Sequence, residues 1–180
     1  MSTELVLEQI TELDTEDANG LTQLLVDVVG AGASIGFLPP LDSHVARVYW
    51  STVLGDHVRV WIARQDGRVV GSVQLHLCAK QNGMHRAEIA KLMVHPSQQR
   101  KGIGRSLMLL AEKAAMQEKR TLLVLDTREG DPSNQLYQSL GFIEAGRIPN
   151  YAESANGGLD TSIFYYKGIG PEKEGQNEGC

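Results

Sequence analysis

Residues 92–107 read LMVHPSQQRKGIGRSL, and this stretch decides how the rest of the chain is read. It opens as the end of an apolar strand, passes through a short polar turn and enters a helix across two glycines. Gln99, Arg100 and Lys101 precede the helix, and Gly102 and Gly104 open it. A helix N-terminus leaves its first backbone N–H groups unpaired and carries a partial positive charge, which suits a phosphate. Glycine lets that backbone approach an anion with no Cβ in the way. Gly-x-Gly alone fits a purely steric strand-to-helix turn equally well.

Upstream, 87–94 reads as the strand that feeds the turn, with the hairpin signal Asn82-Gly83 before it. Two more strand-like runs, 59–64 and 69–77, flank Gln65-Asp66-Gly67, a strong hairpin turn. Three successive antiparallel strands are therefore expected. Before them come a short strand over 5–10 and a helix capped by Asp14 or Thr15. Leu21, Leu24, Leu25 and Val28 fall at helical spacing there, and Gly20 weakens the pattern. The run 30–40, GAGASIGFLPP, stops that helix and reads as a connector. Asp42 caps a second helix with Val45, Val48, Tyr49 and Val53 as its apolar stripe.

Downstream, the helix of the glycine turn runs to about residue 119, and a strand over 121–126 follows. Strand, helix and returning strand suggest a right-handed crossover with parallel pairing. Pro132 and Gly141 bracket a further helix, and 143–148 and 161–167 read as two last strands around Asn156-Gly157-Gly158. The tail 168–180 is polar and glycine-rich, and is expected to be flexible.

With 180 residues, the chain has room for one domain with a real core. A formal net charge of −5 disfavours a nucleic-acid partner and mildly favours a cationic substrate. Neither a signal peptide nor a membrane span is apparent, and Cys78 and Cys180 form no pairing pattern, so a reducing cytoplasm is expected. His76 and Cys78 would share a strand face, but two ligands without a third predict no metal site.

Gln99-x-x-Gly102-x-Gly104 behind Leu92-Met93-Val94-x-Pro96 resembles the acetyl-CoA-binding motif of the GNAT acetyltransferases. The element order is that family's order, and Asn134-x-x-Tyr137-x-x-x-Gly141-Phe142 resembles its second block. The likeness covers 5–167. It implies an α/β GNAT fold, with a mixed central sheet of six or seven strands and about four helices. The expected organisation is a single domain over 1–167 and a tail over 168–180. Within the family, GASIGF (32–37), Gln74-Leu75-x-Leu77-Cys78, Asn82-Gly83, Arg86-Ala87-Glu88, Lys91-Leu92-Met93-Val94 and Leu125-Asp126-Thr127 resemble the tabtoxin-resistance group. Those enzymes acetylate a β-lactam-containing dipeptide toxin. That likeness makes the 30–40 loop a candidate substrate wall, with Ser34, Ile35 and Phe37 as its contacts.

The resemblance assigns roles residue by residue. Backbone N–H groups of Arg100, Lys101, Gly102, Ile103, Gly104 and Arg105, behind Gln99, would hold the pyrophosphate of acetyl-CoA. The side chains of Arg100, Lys101 and Arg105 lie nearby, each equally readable as part of a basic surface turn. Leu92, Met93 and Val94 would pair with the pantetheine arm, and Asn134 would bond it too. Glu88 and Asp126 would take the proton of the attacking amine, and Tyr137 would protonate the departing thiolate. Strand parity sets Glu88, Ala90, Leu92 and Val94 on one face, with Asp126 ending the neighbouring strand. Without the family, Glu88 reads as a strand-start ion pair, Asp126 as a loop cap and Tyr137 as core. The expected activity is an acetyl-CoA-dependent N-acetyltransferase acting on a small-molecule amine, such as a toxin or antibiotic. A protein or peptide N-acetyltransferase and a non-catalytic CoA-binding sensor are the alternatives. Nucleic acid and membrane are not expected as partners, and monomer and homodimer both stay open.

Overall fold

The structure, a computed structural model, describes residues 4–170. In them, seven strands and four α-helices follow one another. They are β1 (Leu5–Ile10), α1 (Thr15–Gly30), α2 (Ser43–Val53), β2 (Val58–Gln65), β3 (Arg68–Leu77) and β4 (Arg86–Val94). Then come α3 (Ile103–Gln117), β5 (Leu122–Arg128), α4 (Ser133–Ser139), β6 (Ile143–Glu153) and β7 (Leu159–Gly168). The strands make one mixed sheet in the order β1-β2-β3-β4-β5-β7-β6, and the counts of strands and helices are those expected above. Only β4 and β5 run parallel, as a crossover through α3 requires.

Each face of the sheet buries its own core. On one, Val73, Leu75, Ala87, Ile89, Leu123 and Leu125 pack against Ile103, Leu107, Met108 and Ala111 of α3. Gly71 permits this close approach, because a Cβ there would meet Ile103, Leu107 and the Met93 carbonyl at 3.1 Å. On the other face, Val60, Ile62 and Met93 meet Leu21, Leu24 and Leu25 of α1 and Ala46 and Trp50 of α2. Gly20 belongs to this packing, since a Cβ would fall 2.6 Å from Val69 Cγ2. The glycine that weakens α1 as an isolated helix is what lets it lie flat on β3.

Both N-caps fall where short polar side chains predict them. Asp14 accepts from the Asp17 amide at 2.8 Å and Asp42 from the His44 amide at 2.7 Å. The stripe of α2 is different from the one expected. Val45 and Val48 are both 49% exposed, and Ala46, Tyr49, Trp50 and Val53 turn inward. Trp50 decides the phase of the helix: its ring is fully buried and its indole N–H donates to the Leu21 carbonyl at 3.0 Å. Burying one indole with its N–H satisfied outweighs two valines.

One connection and the C-terminal end also depart from expectation. Asp66 and Gly67 close a two-residue β2–β3 turn, both with positive φ, as predicted. Asn82-Gly83 instead lies in a 3-10 turn over Gln81–Gly83 within a longer β3–β4 link. At the C-terminal end β7 runs through Gly168, and Ile169 is buried with its amide donating to the Thr121 carbonyl at 2.9 Å. The order therefore continues past 167. The remainder of the expected tail, 171–180, lies outside the described residues.

Candidate active site

The site begins with a fault in β4. Lys91 has φ +51, and the β3–β4 register slips between Ser72 and Gln74, opposite Ala90 and Met93. A non-glycine residue held there costs on the order of 1 kcal/mol or more, so the bulge persists only because its surroundings impose it. It also reverses side-chain parity. Glu88 and Ala90 face α2, because they stand opposite His76 and Gln74. Past the bulge, Leu92 and Val94 turn to the α3 face, where both pack with Leu136, and Met93 enters the opposite core. The single face expected for Glu88, Ala90, Leu92 and Val94 is thus split.

The bulge coincides with a parting of β4 and β5. Parallel pairs run from Arg86–Leu122 to Glu88–Val124 and stop there, although β4 continues to Val94 and β5 to Arg128. One backbone edge of 90–94 therefore faces a gap instead of a strand. This gap opens a cavity of about 800 Å³ lined by Leu92, Met93, Val94, Glu88, Asp126 and Tyr137, among others. That volume holds a small-molecule ligand.

At one end of the cavity stands the N-terminus of α3. Gly102 caps it with φ +84, and Arg100 before it has φ +62. The first helical bond runs from the Ser106 amide to the Gly102 carbonyl at 3.0 Å, so the preceding amides have no helical acceptor. A Cβ on Gly102 would meet nothing within 4 Å, so it is the left-handed backbone that demands glycine there. Gln99, Arg100, Ile103, Gly104 and Arg105 line the cavity. Gln99 donates to the Val94 carbonyl at 3.4 Å and Arg105 to Ser139 Oγ at 2.7 Å. Lys101 turns aside, its ammonium donating to Gln98 Oε1 at 2.7 Å.

At the other end stand the carboxylates. Glu88 pairs with Val124, and Asp126 lies two residues further along β5, so both side chains leave the same sheet face and both line the cavity. Among the described residues neither carboxylate forms an ion pair or a hydrogen bond. Tyr137 of α4 reaches the same space with its ring buried between Phe142 and Tyr165, at centroid distances of 6.0 and 6.1 Å. Its hydroxyl is likewise without a hydrogen-bond partner among the described residues. Burial, reinforced by Asp126 and Asp131, pushes this phenol well above the usual tyrosine range. It is held in its neutral, protonated form.

Besides Lys101, two more expected contacts lie off the cavity wall. Asn134 spends its amide donating to the Arg128 and Asp131 carbonyls, both at 2.9 Å, and accepts from Tyr165 Oη at 2.9 Å. It ties the β5–α4 turn together. Phe37 stands behind Ser34 and Ile35, packed edge-on against Tyr49 at 5.2 Å. The loop carrying these residues is fixed to β5 by Arg128. Its guanidinium donates to the Gly32 carbonyl at 3.0 Å while paired with Asp131 at 2.8 Å.

Lys91 on the cavity wall, and the residues packed behind it, escaped the sequence reading as site residues. The ammonium of Lys91 lies 5.8 Å from the Phe37 ring and 5.9 Å from the Tyr49 ring. Burial pulls its pKa below the ordinary lysine value, against the opposing pull of Asp126 and Glu88. Tyr49 is held by Gln74, whose Nε2 donates to its hydroxyl at 2.9 Å, and His76 Nε2 bonds Gln74 Oε1 at 2.9 Å. An amide oxygen only accepts, so His76 carries its proton on Nε2. Burial lowers the His76 pKa, keeping the ring neutral. A lysine inside the apolar run IAKLMV was the one available signal.

The family model of the acetyltransferase (GNAT) family matches residues 33–142, which span the loop, the bulge, the helix N-terminus and Tyr137. The chain belongs to the GNAT acetyltransferase family. Solved structures carry the same fold across nearly the whole chain. An N-acetyltransferase from Staphylococcus aureus Mu50 superposes with a TM-score of 0.80 at 17% identity, covering 92% of this chain and 99% of its own. The ribosomal-protein-alanine N-acetyltransferase of Brucella melitensis gives 0.76 at 22% identity, with 91% and 99% covered. Salmonella typhimurium yncA, solved with its cofactor acetyl-CoA, gives 0.77 at 19%, with 97% and 99% covered. For a GNAT protein, the gap beside 90–94 and the amides before Ser106 lie along one continuous wall. No helix among the described residues is long and apolar enough to cross a membrane.

Proposed function

We propose that the protein transfers the acetyl group of acetyl-CoA to an amine of a small molecule, of the kind found in toxins and antibiotics. The observation that carries this reading is the convergence of Glu88, Asp126 and the Tyr137 hydroxyl, all unbonded, on the gap beside 90–94. Acetyl-CoA fits the residues present. The orphan amides up to Arg105 and the charges of Arg100 and Arg105 suit its pyrophosphate, and the free edge of Leu92 to Val94 suits its amide-bearing arm.

Chemistry follows from position. An alkyl ammonium cannot attack a carbonyl, so Glu88 and Asp126 accept its proton, directly or through water. The amine lone pair then forms the N–C bond, the C–S bond breaks, and Tyr137 protonates the leaving sulfur. A backbone N–H of the free β4 edge polarises the thioester carbonyl, an effect commonly worth a few kcal/mol of barrier. Ser34 and Ile35 form the acceptor wall. Arg128 keeps that wall in place, which favours a small acceptor over a protein chain.

The test is a screen of amines, peptides and toxins with acetyl-CoA, read as released thiol and acetylated product. Turnover with a small amine well above background hydrolysis is expected. Tight acetyl-CoA binding with no acceptor among any of them would instead indicate a sensor.

A further inference from the structure

Lys91 is a half-buried cation with no acceptor. Among the described residues its ammonium makes no hydrogen bond and no ion pair; the Phe37 and Tyr49 rings flank it, and Asp126 and Glu88 act on it only at longer range. Its three N–H donors thus have no protein acceptor among the described residues, at a half-buried position on the cavity wall. The protein nonetheless holds it there firmly. Gly36 has φ +91, and a Cβ on it would come within 3.1 Å of Lys91 Nζ, so the loop backbone lies directly against the ammonium. Tyr49 is fixed by Gln74 and His76, and the bulge that aims Lys91 is itself a strained departure from strand geometry.

The loop adds donors of its own. No backbone amide from Ser34 to Phe37 donates a hydrogen bond to any described residue. Ser34, Ile35 and Gly36 line the same cavity as Lys91. A free ammonium beside a run of free amides is the donor set of an oxyanion site. It lies on the α2 side of the gap, away from the α3 N-terminus that suits the pyrophosphate. Glu88 and Asp126 share that cavity and supply the opposite charge.

We propose that Lys91, with the amides of 34–37, is a specificity subsite for a carboxylate on the acceptor. The substrate class is then an amine that carries its own carboxylate, an amino acid or short peptide in form. Its ammonium goes to Glu88 and Asp126 and its carboxylate to Lys91. An anion at Lys91 relieves the burial that otherwise disfavours its charged state. This inference rests on the acetyl-transfer reading and narrows it.

The experiment uses matched pairs: amino acids and dipeptides against their carboxamides, which keep the amine and the shape but lose the charge. Rates are measured with acetyl-CoA for the parent, Lys91→Met and Lys91→Arg, and calorimetry with acetyl-CoA shows each variant folded. The parent is expected to prefer the carboxylate member at least tenfold in kcat/KM. Lys91→Met is expected to cut that preference at least tenfold, mainly through KM, and Lys91→Arg to restore most of it. Comparing ratios removes the lower amine pKa of the carboxamides. A parent with no preference, or a preference that survives Lys91→Met, overturns the subsite. So does a protein that acetylates amines lacking a carboxylate but no carboxylated one, and in that case the transferase reading stands. Failure to bind acetyl-CoA would remove both.

Discussion

Tyr137 belongs to the core by its ring and to the cavity by its hydroxyl. Its ring packs with Phe142 and Tyr165, as an aromatic ahead of Gly141-Phe142 should, but its hydroxyl is left without a partner at the cavity. Tyr137→Phe removes only that O–H. It is expected to retain the fold and acetyl-CoA affinity while lowering kcat by roughly 10- to 100-fold, within the usual worth of a positioned acid. The raised pKa fixes the pH signature. A phenol that must be protonated, with its folded pKa above the free value, remains competent throughout the range below about pH 10. A loss of turnover between neutrality and that limit is therefore not expected from Tyr137. Rates against pH for both proteins check this, and a Phe variant as fast as the parent would return the acid role to another group.

At the scale of elements, the glycine turn and α2 carry separate predictions. Gly102→Asp places a carboxylate beside the orphan amides and forces a non-glycine residue to φ +84. Acetyl-CoA affinity should fall by at least tenfold, about 1.4 kcal/mol, in calorimetry on folded protein. Trp50→Ala should destabilise the fold by roughly 3 to 5 kcal/mol in denaturant titration, because it leaves a cavity between α1 and the sheet. Val45→Ala or Val48→Ala on the exposed face should cost little.

These two elements also show where the sequence was legible. The helix on the glycine turn, both aspartate caps and the Asp66-Gly67 hairpin follow from local rules, and local rules suffice for them. The phase of α2 does not, because a valine stripe and a tryptophan stripe fit the same helix and only contact with Leu21 decides between them. The β4 bulge is less visible still. Nothing in RAEIAKLMV announces an extra residue, and strict alternation misassigns every side chain beyond Lys91. Gly20 looked like a defect until Val69 lay beneath it. Asn134 has the spacing of the family block, yet its side chain answers to the Arg128 and Asp131 carbonyls of its own turn and to the distant Tyr165 hydroxyl. Glu88 and Asp126 were brought together by resemblance, and by a register of parallel strands that the sequence alone leaves unstated.

On the scale of the whole molecule, the sheet does one thing that matters for function: it parts. The core on the α3 side holds β4 and β5 together up to Glu88–Val124, and beyond that pair the strands separate around a cavity. The open N-terminus of α3 stands at one end, the Glu88 and Asp126 carboxylates at the other, and a free backbone edge runs between them. The central claim is that Glu88 and Asp126 act as one proton-accepting unit in that gap. The direct test compares the parent, Glu88→Gln, Asp126→Asn and the double variant, measuring kcat with an accepted amine and acetyl-CoA affinity by calorimetry. Each single change should cut kcat about 10²-fold or more and leave affinity nearly unchanged, since neither side chain is on the phosphate end. The double variant should lose less than the product of the two losses, as residues of one unit do. Full activity in either single variant would contradict the account, and would return that carboxylate to a structural role.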